Sequence, residues 1–248
     1  YEWVGGFATY YPGFRWEYGE VARKLRLECA ARPDSRVLDV GSGTGDFLGS
    51  LNGLSAKNKF ALDLNKSAVR DCRARGFNAF CGTVEEARAS GFFKQGDFSV
   101  VTAFHCLEHV HQPVEFVREL LYATEPGGRL FLSTPYSPMS FEHDVFDVLN
   151  HPPHHMTRWN LAAHRRLAEI LGVKLRHFMP RTRPLKQALQ SFMLKTWGPN
   201  VTASRAMLIK DLLFQAPQFL AGWWRLRKRA RSHAIGGADV ILIEFTNP

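Results

Sequence analysis

The chain has 248 residues, of which 45% are hydrophobic and 22% charged, a composition typical of a globular protein with one sizeable core. Its net charge of +9 favours anionic partners such as a lipid surface, a phosphorylated substrate or nucleic acid. We find no run of about 18 apolar residues and no charged-then-apolar leader, so we expect neither a transmembrane helix nor a secretory signal. The four cysteines form no C-x-x-C pair, which argues against a metal ribbon and predicts a reducing, cytoplasmic compartment.

Apolar strand-like runs alternate with helical patterns along the chain, and this alternation predicts βαβ units and a parallel sheet. An aromatic, glycine-containing arm (1–20) leads into the first predicted helix. The predicted strands are 36–40, 60–64, 78–81, 98–104, 129–134, 173–179 and 239–245. The predicted helices are 17–31, one containing 47–51, 66–75, 113–124 and 160–171, the last with Asn160 as N-cap and Gly172 as its stop. Residues 126–128 predict a turn.

Two segments are longer than ordinary connections. The loop 135–156 is too long for a plain link, which predicts a functional loop or a lid. About 55 residues separate the last two strands and predict a helical insertion. We therefore divide the chain into an N-terminal arm and helix (1–35), a core (36–180), a basic helical insertion (181–236) and the last strand (237–248).

A glycine-rich loop after the first predicted strand carries the strongest chemical signal. The segment VLDVGSGTGDFL places three glycines at alternate positions, Gly41, Gly43 and Gly45. Glycines at such a turn let the backbone bend sharply and let a ligand approach closely. The dinucleotide fingerprint has the different spacing G-x-G-x-x-G. Asp39 and Asp46 flank the loop, and two carboxylates disfavour a pyrophosphate but suit a phosphate-free cofactor with an ammonium group and a sulfonium.

Asp63 ends the second predicted strand, about 22 residues after Gly41, where doubly wound folds place an acidic residue that binds ribose hydroxyls. The alternative is that Asp63 is the N-cap of the helix 66–75.

Four motifs, VLDVGSGTGDFL, ALDLN, FHCLEHVHQP and EPGGRLFLSTP, resemble those of the class I S-adenosylmethionine-dependent methyltransferases. The branch that they resemble includes ubiquinone-biosynthesis O-methyltransferases and glycan-cluster methyltransferases, and the resemblance covers about residues 36–136. It implies a doubly wound α/β fold with a seven-stranded, mostly parallel sheet whose last strand is antiparallel. It also implies S-adenosyl-L-methionine as cofactor.

The resemblance further implies which residues contact this cofactor. The glycine loop would line the methionine portion, Asp39 would hold its amino group, and residues 83–84 would flank adenine. The full predicted set is Asp39, Gly41, Ser42, Gly43, Gly45, Asp63, Leu64, Thr83, Val84 and Phe104. Relatives commonly have Asp where this chain has Thr83, which leaves the adenine contact less defined.

Histidines cluster after the fourth predicted strand and in the long loop. A hydroxyl nucleophile needs a general base with a pKa near neutrality, and histidine is the usual one. Ligands of doubly wound sheets bind beyond the carboxyl ends of the strands, so His105 is predicted to point toward the methyl group. The predicted catalytic residues are His105, His109, His154 and His155. Alternatively, Glu108 and His109 cap the following helix and the loop histidines have no site role.

A histidine and carboxylate cluster can also hold a divalent ion. The small-RNA 2′-O-methyltransferases carry E-x-x-E-H after their fourth strand, whereas this chain has H-x-x-E-H at residues 105–109. Because of this departure, we predict no metal ligand.

The insertion contains an apolar series within 208–224, interrupted by Pro217, and then the basic cluster 225–231. Tryptophan beside arginine and lysine suits an interfacial helix on an anionic membrane, although a lid over the acceptor or a helix packed on the core would have the same pattern. Nucleic acid is disfavoured because no RNA-binding module is recognisable.

Together these features predict an O-methyltransferase for a small-molecule, sugar or lipid-linked acceptor, cytoplasmic and peripheral at the inner membrane face. The alternatives are a metal-assisted RNA 2′-O-methyltransferase and a non-catalytic, membrane-associated cofactor-binding module. Two local features remain open: four aromatic residues near the N-terminus could cover the cofactor or pack into the core, and Arg158 and Trp159 are expected to anchor the helix that follows them. The four aromatic residues are Tyr10, Tyr11, Trp16 and Tyr18.

Overall fold

The computed structural model describes residues 15–140, 142, 146, 150–180, 184–197, 205–232 and 239–248. Seven strands form one sheet in the order β3-β2-β1-β4-β5-β7-β6. Their bounds are β1 Val37–Val40, β2 Lys59–Asp63, β3 Asn78–Cys81, β4 Phe98–Phe104, β5 Thr124–Pro135, β6 Lys174–Phe178 and β7 Val240–Thr246. β7 runs antiparallel to both of its neighbours, while the pairs from β3 to β5 are parallel. The predicted doubly wound α/β sheet is confirmed.

Helices pack on both faces of this sheet. Their bounds are α1 Trp16–Ala31, α2 Asp46–Ser50, α3 Lys66–Ala74, α4 Val84–Ala89, α5 Pro113–Ala123, α6 Leu161–Leu171, α7 Pro184–Trp197, α8 Arg205–Phe214 and α9 Ala216–Ser232. The short helix α4 was not predicted, although its capping box, Thr83 with Glu86, is a sequence signature of a helix start.

The central strand β1 determines which side chains point to which face. Successive residues of a strand alternate between faces. Leu38 and Val40 lie in one buried cluster, and Val37 lies in the other, which α1, α2 and α3 cover. Asp39 therefore shares a face with Val37, beneath these three helices.

The predicted turn at residues 126–128 lies inside β5 as a bulge. β5 pairs Thr124 with Phe98 and next pairs Arg129 with Val100, so extra residues leave the ladder between them. Gly127 turns the chain with φ of 76° and donates its N–H to the Asn247 carbonyl at 3.0 Å. The predicted turn is confirmed. The strand continues through it because Asn247, directly after β7, supplies the hydrogen-bond partners of Gly127 and Gly128.

Both predicted ends of α6 are confirmed. The Asn160 side chain accepts a hydrogen bond from the Ala163 N–H at 2.9 Å, and Gly172 ends the helix in the left-handed region with φ of 67°.

The insertion before β7 is helical, as predicted. The α7 and α9 helices pack through Phe192 and Phe219, whose ring centroids lie 5.8 Å apart. The apolar series is interrupted near Pro217, as predicted, because α8 ends at Phe214 and α9 begins at Ala216, and Pro217 lies in the first turn of α9, where proline is tolerated. Among the described residues, no helix combines the length and apolarity that crossing a membrane requires.

Candidate active site

The loop after β1 is a tight glycine turn. The N–H groups of Gly41 and Ser42 both donate to the Leu62 carbonyl, at 2.8 and 3.1 Å, which holds the loop against the end of β2. All three glycines have positive φ, 70° at Gly41, 52° at Gly43 and 79° at Gly45. Residues with a side chain rarely adopt positive φ, so the backbone of this turn requires glycine at all three positions.

The three glycines differ in what surrounds them. A Cβ on Gly41 would lie 2.3 Å from the Cys106 Sγ, and one on Gly45 would lie 3.0 Å from the Cys72 Sγ. A Cβ on Gly43 would meet nothing within 4 Å. Gly41 and Gly45 are therefore packed against side chains, whereas the Gly43 backbone borders open space where a ligand can approach.

Asp39 places a buried carboxyl beneath this loop. Its Oδ1 accepts a hydrogen bond from the Thr102 hydroxyl at 2.6 Å, across the β1–β4 pair. Burial raises the pKa of Asp39 to about 7, although the bond from Thr102 acts in the opposite direction. Ionisation of the buried Asp39 carboxyl is unfavourable on its own, and a cationic ligand would stabilise the ionised form.

Asp63 connects the glycine loop to the end of β2. Its Oδ2 accepts from the Gly43 N–H at 2.8 Å and its Oδ1 from the Asn65 N–H at 2.8 Å. The N-cap of α3 is Asn65, so the interpretation of Asp63 as that cap is wrong. Leu64, the next residue, is 63% exposed, so its side chain offers an apolar surface beside the loop.

The remaining predicted cofactor residues have structural partners here. The Thr83 hydroxyl accepts from the Glu86 N–H at 3.2 Å as the cap of α4, and Val84 is buried in the core. The Phe104 ring packs edge-on against Tyr18 and Phe47. Their contacts with a cofactor stay predictions.

His105 follows β4 in a strained backbone conformation, with φ of 53°. Its Nε2 lies 2.8 Å from the Glu17 Oε1, and its Nδ1 lies 3.4 Å from the Glu108 Oε1. Burial alone would lower the pKa of His105, but the contacts of its ring with the Glu108 and Glu17 carboxylates outweigh burial and raise this pKa above its ordinary value. Two buried carboxylates thus make His105 a stronger proton acceptor.

Glu108 is almost wholly buried, and neither of its carboxylate oxygens has a hydrogen-bond partner. Burial favours its neutral form, yet the 3.4 Å contact with His105 and the charge of that ring lower the pKa of Glu108 overall. The α5 N-cap is Gln112, which makes no side-chain cap bond, so the interpretation of Glu108 and His109 as helix caps is wrong.

The other three predicted histidines lie together. Ring centroids of His109 and His154 are 4.8 Å apart, those of His109 and His155 4.9 Å, and those of His154 and His155 5.1 Å. Burial lowers the pKa of His155 to about 4, so its ring is neutral at neutral pH. His105 and this trio lie at the two ends of the segment 105–109.

Comparison with known proteins agrees with this geometry. A family model described as a methyltransferase domain matches residues 14–192, well over half of the chain. The chain belongs to this methyltransferase-domain family. It is 36% identical over 115 residues to a ubiquinone biosynthesis O-methyltransferase from Xanthomonas oryzae pv. oryzae, covering 44% of this chain and 45% of that protein.

A second relative, a ubiquinone/menaquinone biosynthesis C-methyltransferase from Vibrio vulnificus, is 27% identical over 135 residues, covering 52% of this chain and 50% of that protein. The chain thus spans about half the length of the curated relatives that it matches.

Solved structures share the fold of this methyltransferase domain. An S-adenosylmethionine-dependent methyltransferase from Archaeoglobus fulgidus superposes with a TM-score of 0.54 at 18% identity, covering 92% of this chain and 94% of that one. Phosphoethanolamine N-methyltransferase 2 from Haemonchus contortus, in complex with S-adenosyl-L-methionine, has a TM-score of 0.51 at 16% identity, covering 91% of this chain and 52% of that one.

The prediction of an S-adenosylmethionine-dependent methyltransferase is confirmed at the level of the domain. The residues present fit this cofactor. Gly43 leaves the space that a ligand needs at the loop, and Asp39 offers a carboxyl that an ammonium group would stabilise. The cofactor carries no phosphate, so the two nearby carboxyls do not oppose it.

Two groups of the site were not predicted. Glu17 reaches His105 from α1, 88 residues away in sequence, and nothing in its local pattern indicated this. The Asn150 amide oxygen lies 2.8 Å from the His155 Nδ1. A signal for Asn150 existed, since it directly precedes the distinctive stretch HPPHH.

The structure also shows the surroundings of Tyr18, Trp159 and Arg158. Tyr18 lies in α1 and packs against the core rings of Phe47 and Phe104, whereas Tyr10 and Tyr11 lie outside the described residues. Trp159 is buried, with its ring 4.9 Å from that of His164 in α6, which confirms it as an anchor. Arg158 pairs instead with Glu142.

Proposed function

We propose that this methyltransferase domain methylates a hydroxyl oxygen of a small-molecule, sugar or lipid-linked acceptor. Bound S-adenosylmethionine supplies an activated methyl carbon, so the protein has to orient the acceptor and take up its proton. The observation that carries the proposal is the position of His105. It directly precedes Cys106, whose sulfur contacts the Gly41 turn of the glycine loop.

His105 has the properties of a general base. Glu17 holds Nε2 at 2.8 Å and would stabilise the imidazolium, while the acceptor hydroxyl would replace the looser 3.4 Å contact of Glu108 at Nδ1 and give its proton to that nitrogen. The strained backbone at His105 is held by its N–H, which donates to the Ser133 carbonyl at 2.9 Å. The imidazole is thereby positioned from both its backbone and its side chain.

The relatives support oxygen as the methylated atom. The ubiquinone biosynthesis O-methyltransferase is 36% identical in the matched segment, against 27% for the C-methyltransferase. Both names concern ubiquinone biosynthesis, which agrees with a small-molecule acceptor.

Product analysis tests the proposal. The protein is incubated with methyl-labelled S-adenosylmethionine and with separate lipid, small-molecule and RNA fractions of a cell extract. We expect an O-methylated product in the lipid or small-molecule fraction, formed at least about 100-fold more slowly by a His105→Gln variant. A methyl group on carbon, on nitrogen or on RNA would contradict it. Intact cofactor binding without any product would instead favour a non-catalytic module.

We also propose that α8 and α9 contact an anionic membrane, which would bring the domain to a lipid-linked acceptor. Five large apolar side chains are exposed there, Ile209, Leu213, Phe214, Leu220 and Trp224, at 59%, 75%, 80%, 53% and 62%. Leu220, Trp224 and Lys228 recur every four residues and so share one face of α9. The Lys228 Nζ lies 5.7 Å from the Trp224 ring centroid, an arrangement suited to the boundary between lipid headgroups and acyl chains.

Neutralising Arg225, Arg227 and Lys228 to glutamine is expected to weaken binding to anionic vesicles roughly 100-fold, at about 1 kcal/mol for each cation near the surface. Sedimentation with phosphatidylserine-containing and with neutral vesicles, at low and high salt, measures it. The control removes the same charge from the exposed residues Arg70, Lys94 and Arg165. Equal binding by the two triple variants would refute a membrane surface at α9.

A further inference from the structure

Three imidazole rings converge at one end of the segment 105–109. They come from two separate parts of the chain, the 3₁₀ turn Leu107–His109 and the loop before α6. One ring nitrogen of each of His109, His154 and His155 lies within 4.8 Å of the others, the one such group in the described part of the chain. His155 is buried and the other two are half-buried.

Backbone bonds hold the two segments together. The N–H groups of Met156 and Thr157 donate to the Glu108 carbonyl at 2.8 and 3.2 Å, and the Thr157 hydroxyl donates to the Leu107 carbonyl at 3.2 Å. Within the loop, the N–H groups of His154 and His155 both donate to the His151 carbonyl. The backbone segments that carry the three rings are therefore held next to each other.

Hydrogen bonds also determine which nitrogen carries a proton. The His109 Nδ1 lies 2.8 Å from the His154 carbonyl, which can only accept, so this Nδ1 carries the hydrogen. In the neutral ring, the lone pair is then on Nε2. This is the form of imidazole that metal ions bind.

His155 is oriented in the same way by a chain of side chains. Asn150 donates from Nδ2 to Glu142 at 2.9 Å, so its amide oxygen faces the His155 Nδ1 at 2.8 Å and accepts from it. Glu142 in turn pairs with Arg158. An amide or carboxylate acceptor behind a ligating histidine is the usual outer support of a metal site, because it sets the ring orientation and the tautomer.

A buried negative charge lies beside the cluster. The Glu108 side chain is 2% exposed, its oxygens lack hydrogen-bond partners, and it directly precedes His109. A cation bound by the histidines would offset this charge, which the single contact with His105 leaves partly uncompensated.

We infer that His109, His154 and His155 form a three-histidine site for a divalent transition-metal ion of the zinc type. Three imidazoles with an open fourth position are the ligand set of catalytic zinc sites, and imidazole also suits cobalt and nickel. Ligand nitrogens around a tetrahedral zinc ion are ~3.4 Å apart, given bonds of about 2.0–2.1 Å, so the rings need to close by about 1–1.5 Å at most. This inference departs from the prediction of no metal ligand made from the sequence.

The role of the ion rests on the proposed function, whereas metal binding does not. An ion held here would be a Lewis acid for the acceptor hydroxyl, while His105 receives the proton. The hydroxyl oxygen would be bound by the ion and become more acidic, which assists deprotonation.

Cobalt is the probe, because its visible absorption reports ligand number without acceptor or S-adenosylmethionine. Titration of the metal-free protein with Co²⁺ is expected to give one equivalent of a strongly absorbing, low-coordinate complex, and Zn²⁺ is expected to displace it. His109→Asn and His155→Asn should both abolish the absorption. The control is His111→Asn, an exposed histidine two residues beyond the site. Thermal unfolding of each variant shows whether it is folded. Zn²⁺ should raise the unfolding temperature of the wild type and leave those of His109→Asn and His155→Asn unchanged.

Asn150→Ala keeps all three histidines and tests the support of His155. It is expected to weaken Co²⁺ binding about 10- to 100-fold, the usual effect of removing an outer partner. The inference is overturned if the wild type gives no such absorption, or if the absorption persists in both His109→Asn and His155→Asn.

Discussion

Asp39→Asn is expected to change cofactor binding and stability in opposite directions. It should weaken S-adenosylmethionine binding about 10- to 100-fold, because a hydrogen bond to a charged group contributes about 1.5–3 kcal/mol. The amide is isosteric, and its oxygen can still accept from the Thr102 hydroxyl, which now bonds the Asp39 Oδ1 at 2.6 Å. Calorimetric titration with the cofactor measures the first effect.

The stability effect depends on pH. The pKa of Asp39 is raised to about 7 in the folded protein, well above its ordinary value of 3.8. Between these two values the folded state binds a proton that the unfolded chain has released, so the wild type loses stability as pH rises from about 4 to about 7. Asparagine has no charge to bury. At pH 8 the ligand-free variant should therefore be more stable than the wild type by about 2–4 kcal/mol, with a smaller gain at pH 5.

The matched control is Asp46→Asn, the same substitution at an exposed carboxylate that pairs with Arg75 at 3.1 Å. It should alter stability by no more than about 0.5 kcal/mol, because exposed ion pairs contribute little. Denaturant unfolding at pH 5 and pH 8 distinguishes the variants. Wild-type affinity for S-adenosylmethionine in Asp39→Asn would show that this carboxyl does not hold the cofactor.

Removing the His105 imidazole is expected to have the largest effect on turnover. His105→Gln should lower kcat by about 10²- to 10⁴-fold, which is the contribution of a positioned general base. In the wild type, kcat/KM should rise with pH and level off above the raised pKa of His105, since the protonated ring cannot accept a proton. The variant should lose this dependence. A rate profile of unchanged shape in His105→Gln would exclude it as the base.

The two carboxylates beside His105 provide a finer test. Glu17→Gln removes one of the groups that raise the pKa of His105, so the rising limb of the profile should move to lower pH. Arg15 acts in the opposite direction and stays in place. Glu20→Gln, on the same helix but paired with Arg23, is the control and should leave the limb where it is.

Local patterns were sufficient for most of the fold. The sequence predicted β4 with the bounds that the structure has, because a strand buried on both faces is a short apolar run between turn residues. The bounds of the edge strand β3 were also predicted, although it is only partly buried. It also placed both caps of α6, since Asn160 and Gly172 act through their own backbone neighbours. The missed helix α4 had a readable signal in its capping box.

The conformation of the glycine loop could also be predicted from its local sequence. Gly41, Gly43 and Gly45 could be assigned to a sharp turn directly after a strand, and the structure adds that all three have positive φ. The role of Asp63 was less accessible. Its bond to the Gly43 N–H joins two loops 20 residues apart and requires β1 and β2 to be neighbours.

The sequence by itself determined the fold class, the methyltransferase family and the glycine turn, because local patterns and motifs, taken in their order along the chain, encode each of them. Only the tertiary structure decided which groups surround the histidines. Glu17 meets His105 across 88 residues, and His109 meets His154 across 45, since sheet order brings α1, the end of β4 and the loop after β5 to one edge. Contacts at such separations depend on packing and closure of the whole chain, which no local pattern records.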